Sequence, residues 1–373
     1  MRKFFVLLSF IPCSIFAQQK QLDSLFAAQK DFSAVVLIAE NESPTGLSGR
    51  GRPVYQKAFG FREFASQTPL HTTDIFELAS VSKQFTAMII MMLQEKGLLN
   101  YDDLVEKFMD IPYKGISIRH LLTHTSGLPD YQQLMDKHWD KTKVAGNADC
   151  IEYLNKYAPP KLFEPGTKYE YSNTAYLILA SIAEKASGKD FIEMCRQWIF
   201  KKLKMKSTDI RTLEEKKATP NFAIGHIYVK ARNQPALPAG RYIRADSFPS
   251  SDYTIWLGNR KGPGRISSTT TDLLKWDQAL YSEKLITQST LQEAFTPMKL
   301  NDGSLSNYGF GWMLKTDSTM GRVVYHTGDN PGYKTQIIRF IDKNKTIILL
   351  NNNAHANFEI IIKSIEDHLK SHQ

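Results

Sequence analysis

Apolar positions divide the chain into two ends with strand-like runs and a helical middle. Residues 21–30 carry Leu22, Leu25 and Phe26 on one helical face, and residues 33–40 (SAVVLIAE) form a β-branched apolar run that predicts a buried strand. A Gly/Ser/Pro-rich turn at 41–53 leads to a second predicted strand at 54–61. Residues 85–97 are apolar almost all round, as expected of a helix enclosed by a core. Further helices are predicted at 118–123, 148–157, 174–186 and 191–203. From 219 to 263 the pattern is irregular and broken by Pro220, Pro235, Pro238, Pro249 and Pro263; Tyr242, Phe248, Tyr253 and Trp256 there either line a cleft or simply pack. Helices at 271–280 and 288–294 precede predicted strands at 322–326, 333–341 and 346–351, joined by tight turns such as 342–345. Phe358, Ile361, Ile362, Ile365 and Leu369 then recur at helical spacing. The fold class is α+β: an antiparallel sheet from both chain ends, flanked by terminal helices, with a mainly helical lobe inserted. The α/β lobe takes about residues 18–80 and 260–373, and the helical lobe about 81–259, in a single catalytic domain.

Composition and charge narrow this picture. A 373-residue chain that is 42% hydrophobic holds enough apolar material for a large core and is not a disordered protein. Arg2 and Lys3 precede an apolar stretch at 4–11, which closes on Ser14-Ile15-Phe16-Ala17 and turns polar at Gln18. That order predicts a signal peptide, residues 1–17, cleaved after Ala17, and an exported, periplasmic protein. A lipoprotein anchored at Cys13 fits less well, because Pro12 precedes it. No later segment is predicted to span a membrane. Net charge is +9, or +7 (9 − 2) without Arg2 and Lys3. The densest basic stretch, Lys201 to Lys217, lacks interleaved aromatics, so a nucleic-acid partner is not expected. Cys150 and Cys195 fall in predicted helices, where either two buried thiols or a bridge is compatible with the sequence.

Three short motifs carry candidate chemistry. Ser80 has Lys83 three residues on, one helical turn away, so the amine can approach the hydroxyl. A serine needs a neighbour to take its proton, and a lysine can do so only when burial or nearby positive charge lowers its pKa. Ser80 also opens a helix, where free N–H groups favour negative charge. Tyr171-Ser172-Asn173 follows a turn and precedes an apolar helix; a tyrosine can move a proton and an asparagine amide can orient a lysine or a substrate. Tyr153-Leu154-Asn155 shares the spacing but lies within an amphipathic helix. His326-Thr327-Gly328, followed by Asp329, ends a strand whose glycine lets a substrate backbone approach; His326 could hold an anionic or polar substrate end or assist proton transfer.

Ser-x-x-Lys, Tyr-x-Asn and a basic residue before Thr-Gly, in that order, resemble the penicillin-recognising serine hydrolases, in particular class C β-lactamases, D-Ala-D-Ala carboxypeptidases, D-aminopeptidases and esterases. Leu121–Leu128 (LLTHTSGL), Ser267-Ser268-Thr269 with 272–276 (DLLKW), and Tyr308–Trp312 (YGFGW) resemble family signatures. The similarity runs from about Phe32 to the C-terminus. It implies a β-lactamase/transpeptidase-like fold, a Ser80 acyl-enzyme, proton work shared by Lys83 and Tyr171, and an orienting Asn173. It also implies substrate contacts from His326, Thr327, Gly328 and Asp329, with the oxyanion held by the Ser80 and Asp329 N–H groups.

The chain departs from the lactamase pattern at His326, where those enzymes usually carry lysine. This favours a peptidase, amidase or esterase acting on a small ester or a D-amino-acid peptide, with peptidoglycan-derived peptides among the candidate substrates. A class C-like β-lactamase and a non-catalytic binding protein are the alternatives. His120 and His124 share i, i+4 spacing, but no third ligand accompanies them, so no metal or cofactor is expected.

Overall fold

The computed structural model describes residues 12–40, 51–229 and 240–371, and gives the backbone alone for residues 12–18 and Pro249. The predicted signal therefore lies mostly outside the described residues, as does the turn at 41–50. Helix α1, Pro12–Ala27, runs across position 17 and ends three residues before the predicted boundary. Among the described residues no helix is long and apolar enough to cross a membrane.

Six strands form one antiparallel sheet: β1 (Ala34–Glu40), β2 (Arg52–Phe59), β3 (Met313–Asp317), β4 (Gly321–Asn330), β5 (Tyr333–Phe340) and β6 (Lys345–Asn351), in the order β3-β4-β5-β6-β1-β2. The N-terminal strand thus sits beside the C-terminal one, with Ala34 opposite Asn351 and Leu37 opposite Ile348. The unbroken apolar run of β1 has a simple cause: both of its faces are covered. Val35, Leu37 and Ala39 join the main core with Phe85, Ile348 and Leu350. Ala34, Val36 and Ile38 point the other way, into a second core with Leu22 and Phe26 of α1. The same core takes Phe358, Ile361, Ile362, Ile365 and Leu369 from α7 (Phe358–Ser371), the stripe predicted from their spacing.

On the opposite face lies α2, Lys83–Glu95, whose residues from Lys83 to Leu93 are all buried. It packs on α5, Asn173–Ser187, and on α6, Thr270–Ala279. Trp276 Nε1 donates to Gln84 Oε1 at 2.9 Å, and Thr86 Oγ1 to the Gly262 carbonyl at 2.7 Å. These bonds tie α6 and the loop before residue 266 to the first turns of α2. The sheet is joined to α6 by a buried ion pair, Arg339 Nε to Asp277 Oδ1 at 2.6 Å, which Thr346 Oγ1 also reaches. The helices α3 (Tyr131–His138) and α4 (Asn147–Tyr157) complete the inserted lobe.

Two predicted elements differ. The helix expected at 191–203 is α-helical only over Phe191–Met194 and widens into a π turn at Cys195–Phe200. The strand expected at 322–326 extends to Asn330, because β5 pairs with it to the end of the hairpin. Cys150 and Cys195 are both free and buried.

Candidate active site

The chain enters the site from a short strand, Phe76–Glu77, and turns through a 3-10 segment, Ala79–Ser82, before α2 starts at Lys83. Ser80 thus precedes the α-helix itself, and the tighter three-residue period aligns positions 80 and 83. Ala79 has φ +49°, a left-handed conformation that a side chain rarely adopts and that surrounding structure must hold. Gly328 of β4 packs there: a Cβ on it would overlap the Leu78 carbonyl and Thr335 Oγ1.

Lys83 Nζ stands 3.0 Å from Ser80 Oγ, 2.8 Å from Asn173 Oδ1 and 2.9 Å from the Pro263 carbonyl oxygen. The lysine is fully buried, with no carboxylate among these partners. Burial first, and the positive charge of Arg260 second, hold its pKa well below the ordinary lysine value. The amide oxygens of Asn173 and Pro263 can only accept. Once deprotonated, the amine spends its two N–H groups on them and turns its lone pair to the Ser80 hydroxyl. This is the geometry of a general base on a nucleophile.

Tyr171-Ser172-Asn173 forms the entry to α5, where Ser172 Oγ caps the helix by accepting from the Ala175 N–H. His124 fixes this turn: its Nδ1 accepts from the Ser172 N–H at 3.1 Å, and its carbonyl from the Glu170 N–H. His124 is itself buried and in a left-handed conformation, φ +58°, with its ring 4.3 Å from that of Tyr171 and 4.4 Å from that of Tyr308. His120 instead receives the Ser117 N–H at Nδ1, so the i, i+4 pair serves two local turns. Among the described residues no cluster of three or more His, Cys, Asp or Glu is placed to hold a metal ion. The Tyr171 hydroxyl is buried beside Ser80 without a hydrogen bond of ordinary geometry. Burial raises its pKa, partly offset by Ser80, so it is a neutral phenol. Lys83 Nζ lies 4.8 Å from its ring centroid.

The direct substrate contact expected of His326 is corrected by its surroundings. The ring is fully buried; Nδ1 is 2.6 Å from the Thr327 carbonyl oxygen and Nε2 2.8 Å from Tyr308 Oη. A carbonyl only accepts, so Nδ1 carries the hydrogen and Tyr308 donates to Nε2. Both nitrogens are occupied inside the protein. Burial, and then the nearby Lys83, push its pKa down to about 3, against the Thr327 bond, so the ring is neutral. Thr327 and Asp329 do reach the surface. A two-residue turn, Pro331-Gly332, closes the β4–β5 hairpin, which sets Asp329 opposite Lys334 with its N–H on the edge facing away from β5. Ser80 and Asp329 line one cavity of about 80 Å³ together with Asn173, Tyr253 and Arg260. Of the loop aromatics, Tyr253 therefore lines the cleft, while Phe248 and Trp256 are buried packing.

Sequence reasoning placed Ser80, Lys83, Tyr171 and Asn173 correctly as neighbours. It missed the Pro263 carbonyl, the clamp formed by His124, the Tyr308 partner of His326, and Arg260. His124 and Tyr308 lie within the quoted signature stretches, which was a signal; Arg260 lies in an irregular loop that gave none.

Comparison with known proteins agrees with this fold. The family model described as Beta-lactamase matches residues 45–369. Penicillin-binding protein 4* of Bacillus subtilis (strain 168) is 37% identical over 359 residues, covering 94% of this chain and 76% of that protein. A D-aminopeptidase of Brucella canis is 26% identical over 82% of this chain, which spans 55% of that longer enzyme. Among solved structures, a D-amino acid amidase from Ochrobactrum anthropi SV3 superposes with a TM-score of 0.74 at 22% identity, over 96% of this chain and 99% of that one. An octameric penicillin-binding protein homologue from Pyrococcus abyssi gives 0.75 at 24% identity, over 93% and 75%. The extent of the match, over a chain that folds in this way, makes the protein a member of the beta-lactamase family of serine hydrolases.

Proposed function

We propose that the protein cleaves an amide or ester through an acyl-enzyme on Ser80, with amides and short peptides of D-amino acids as its substrate class. The observation that carries this is the environment of Lys83, an uncharged-leaning amine whose only free direction faces Ser80 Oγ. In the first step Ser80 Oγ bonds to the substrate carbonyl carbon while its proton passes to Lys83 Nζ. The oxyanion is received by the backbone N–H groups of Ser80 and Asp329. The tetrahedral species collapses, the C–N or C–O bond breaks, and the leaving group takes the proton from Lys83 by way of the Tyr171 hydroxyl. Water then gives a proton to Lys83 Nζ as it adds to the acyl carbonyl carbon, the bond from that carbon to Ser80 Oγ breaks, Oγ takes the proton back and the carboxylic acid product leaves. Tyr171 serves as a neutral relay, since burial disfavours its phenolate.

The D-amino-acid preference draws on the names of the relatives, a D-aminopeptidase and a D-amino acid amidase, and on the neutral His326 where a lactamase-like site would carry lysine. Carboxypeptidase action on peptidoglycan-derived peptides and hydrolysis of small esters fall within the same chemistry. We place the working enzyme as a single domain of residues 18–373 in the periplasm, on the N-terminal pattern alone; the intact mass of the exported chain would start at Gln18.

The test is intact-mass analysis of wild type and Ser80→Ala after separate exposure to a fluorophosphonate and a penicillin. A fluorophosphonate adduct on wild type alone, with slow or no penicillin turnover and cleavage of D-alaninamide, supports the proposal. No adduct with either reagent would overturn it in favour of a binding protein. Rapid penicillin turnover would make it a β-lactamase.

A further inference from the structure

The two N–H groups that receive the oxyanion belong to segments far apart in the chain. Ser80 follows the short strand Phe76–Glu77, and Asp329 is the last residue but one of β4, before Asn330. Such a pair of donors works only when each is held within about 0.5 Å of the productive geometry. Two side chains bridge the segments, one on either side of Asp329. Gly328 stands opposite Thr335 in the hairpin, and Thr335 Oγ1 donates to the Leu78 carbonyl at 2.7 Å. Asn330 Nδ2 donates to Glu77 Oε1, also at 2.7 Å, in a buried contact. The hairpin is thus tied to the two residues that stand two and three positions before Ser80.

Glu77 is a costly residue to put there. It is 8% exposed, sits opposite Ser267 in the pairing with the strand Ile266–Ser268, and takes Lys216 Nζ at 2.6 Å on its other oxygen. Burial raises the carboxyl, but Lys216, and behind it Arg260 and Arg265, outweigh that and keep it below its ordinary value, so the bridge is a carboxylate. An apolar side chain would fill the position without the expense of a buried charge. What the carboxylate adds is a charged acceptor for Asn330, which makes a stronger bond than a neutral one. Packing alone does not fix Asn330, since it forms part of the wall both of the cavity of about 80 Å³ at Ser80 and of a neighbouring one of about 370 Å³. We propose that Glu77 is a positioning residue of the active site, which through Asn330 holds the Asp329 N–H at a fixed distance from the Ser80 N–H. The proposal rests on Ser80 as the nucleophile and on these two N–H groups as the oxyanion donors.

The test compares p-nitrophenyl acetate with its thionoester, in which sulfur replaces the carbonyl oxygen. Sulfur is the weaker hydrogen-bond acceptor, so the thionoester gains less from the donors, and the ratio of the two kcat/KM values reads their placement. Asn330→Ala removes the bond to Glu77 and leaves the Glu77–Lys216 pair in place. It should lower kcat on the oxygen ester at least about tenfold with KM within about threefold, and lower the ratio at least about fivefold. Glu77→Gln should move the ratio the same way. Combining Glu77→Gln with Asn330→Asp restores the bond with donor and acceptor reversed and keeps one carboxylate near Lys216, so the ratio should return to within about threefold of wild type. Loss of folded protein lowers both rates alike and leaves the ratio unmoved. A ratio within about twofold of wild type in Asn330→Ala, or a double variant no better than the single ones, overturns the proposal. If wild type takes no fluorophosphonate, it is the Ser80 reading that has failed; a labelled wild type that favours the oxygen ester no more than free hydroxide does places the failure in the oxyanion donors.

Discussion

Acidification should unfold this protein in part through one residue, His326. Its ring is fully enclosed and held neutral by the Tyr308 and Thr327 bonds, with a pKa pushed down to about 3 from 6.5. The unfolded chain takes up a proton as pH falls below about 6.5, while the native state does not until about pH 3. Native stability from this group is therefore complete above pH 6.5 and is lost progressively on going down to 3. Each pH unit in that window is worth about 1.4 kcal/mol. Between pH 7 and pH 5 the loss is about 2 kcal/mol, and over the whole window about 5 kcal/mol. Other groups titrate in the same range, so the measurement is a difference. Urea unfolding followed by tryptophan fluorescence, at pH 7 and pH 5, gives the pH-dependent loss for wild type and for His326→Gln. The variant will be less stable at both pH values, but its loss between them should be about 2 kcal/mol smaller. Parallel pH dependences for the two proteins would refute a neutral, buried His326.

Three further outcomes follow from the same structure. The rising limb of kcat/KM against pH should lie well below 10.5, because Lys83 must lose its proton; Arg260→Gln removes one cause of the lowered pKa and should move the limb to higher pH, whereas an unmoved limb would exclude Lys83 as the base. Asp277→Ala strips the buried Arg339 of its counter-ion and should cost about 3–5 kcal/mol in urea unfolding, with a cost under about 1 kcal/mol counting against a closed ion pair. Gly328→Ala sets a methyl against the Leu78 carbonyl and Thr335 Oγ1, so it should destabilise by about 1–3 kcal/mol and cut Ser80 labelling by a fluorophosphonate at least tenfold; unchanged labelling would show that β4 does not position the nucleophile.

Much of the scaffold was legible because its signals are local. Residues 33–40 needed no alternation to read as a strand, since a strand covered on both faces is apolar throughout. The final helix announced itself through Phe358, Ile361, Ile365 and Leu369 at helical spacing. The junction at Cys195–Phe200 was not legible, because a π turn keeps the apolar pattern of the helix it interrupts. In the site, Ser80 and Lys83 lie one turn apart, and only the order of three motifs joined them to Tyr171 and Asn173, 90 residues further on in the case of Asn173 and Lys83.

The sequence by itself determined the sheet's composition, the terminal helices and the pairing of Ser80 with Lys83 as candidate nucleophile and base, because periodicity and short spacing are properties of the chain alone. Only the tertiary structure decided protonation and access. Lys83 is suited to act as a base because it is buried and because Asn173 and the Pro263 carbonyl, both remote in sequence, accept its hydrogens. His326 turned from a substrate contact into a neutral, internal residue because Tyr308 and the Thr327 carbonyl close over it. Arg260 came to line the cavity beside Ser80 because the loop that carries it folds there. Burial and counter-ions are long-range quantities, and no local pattern of residues records them.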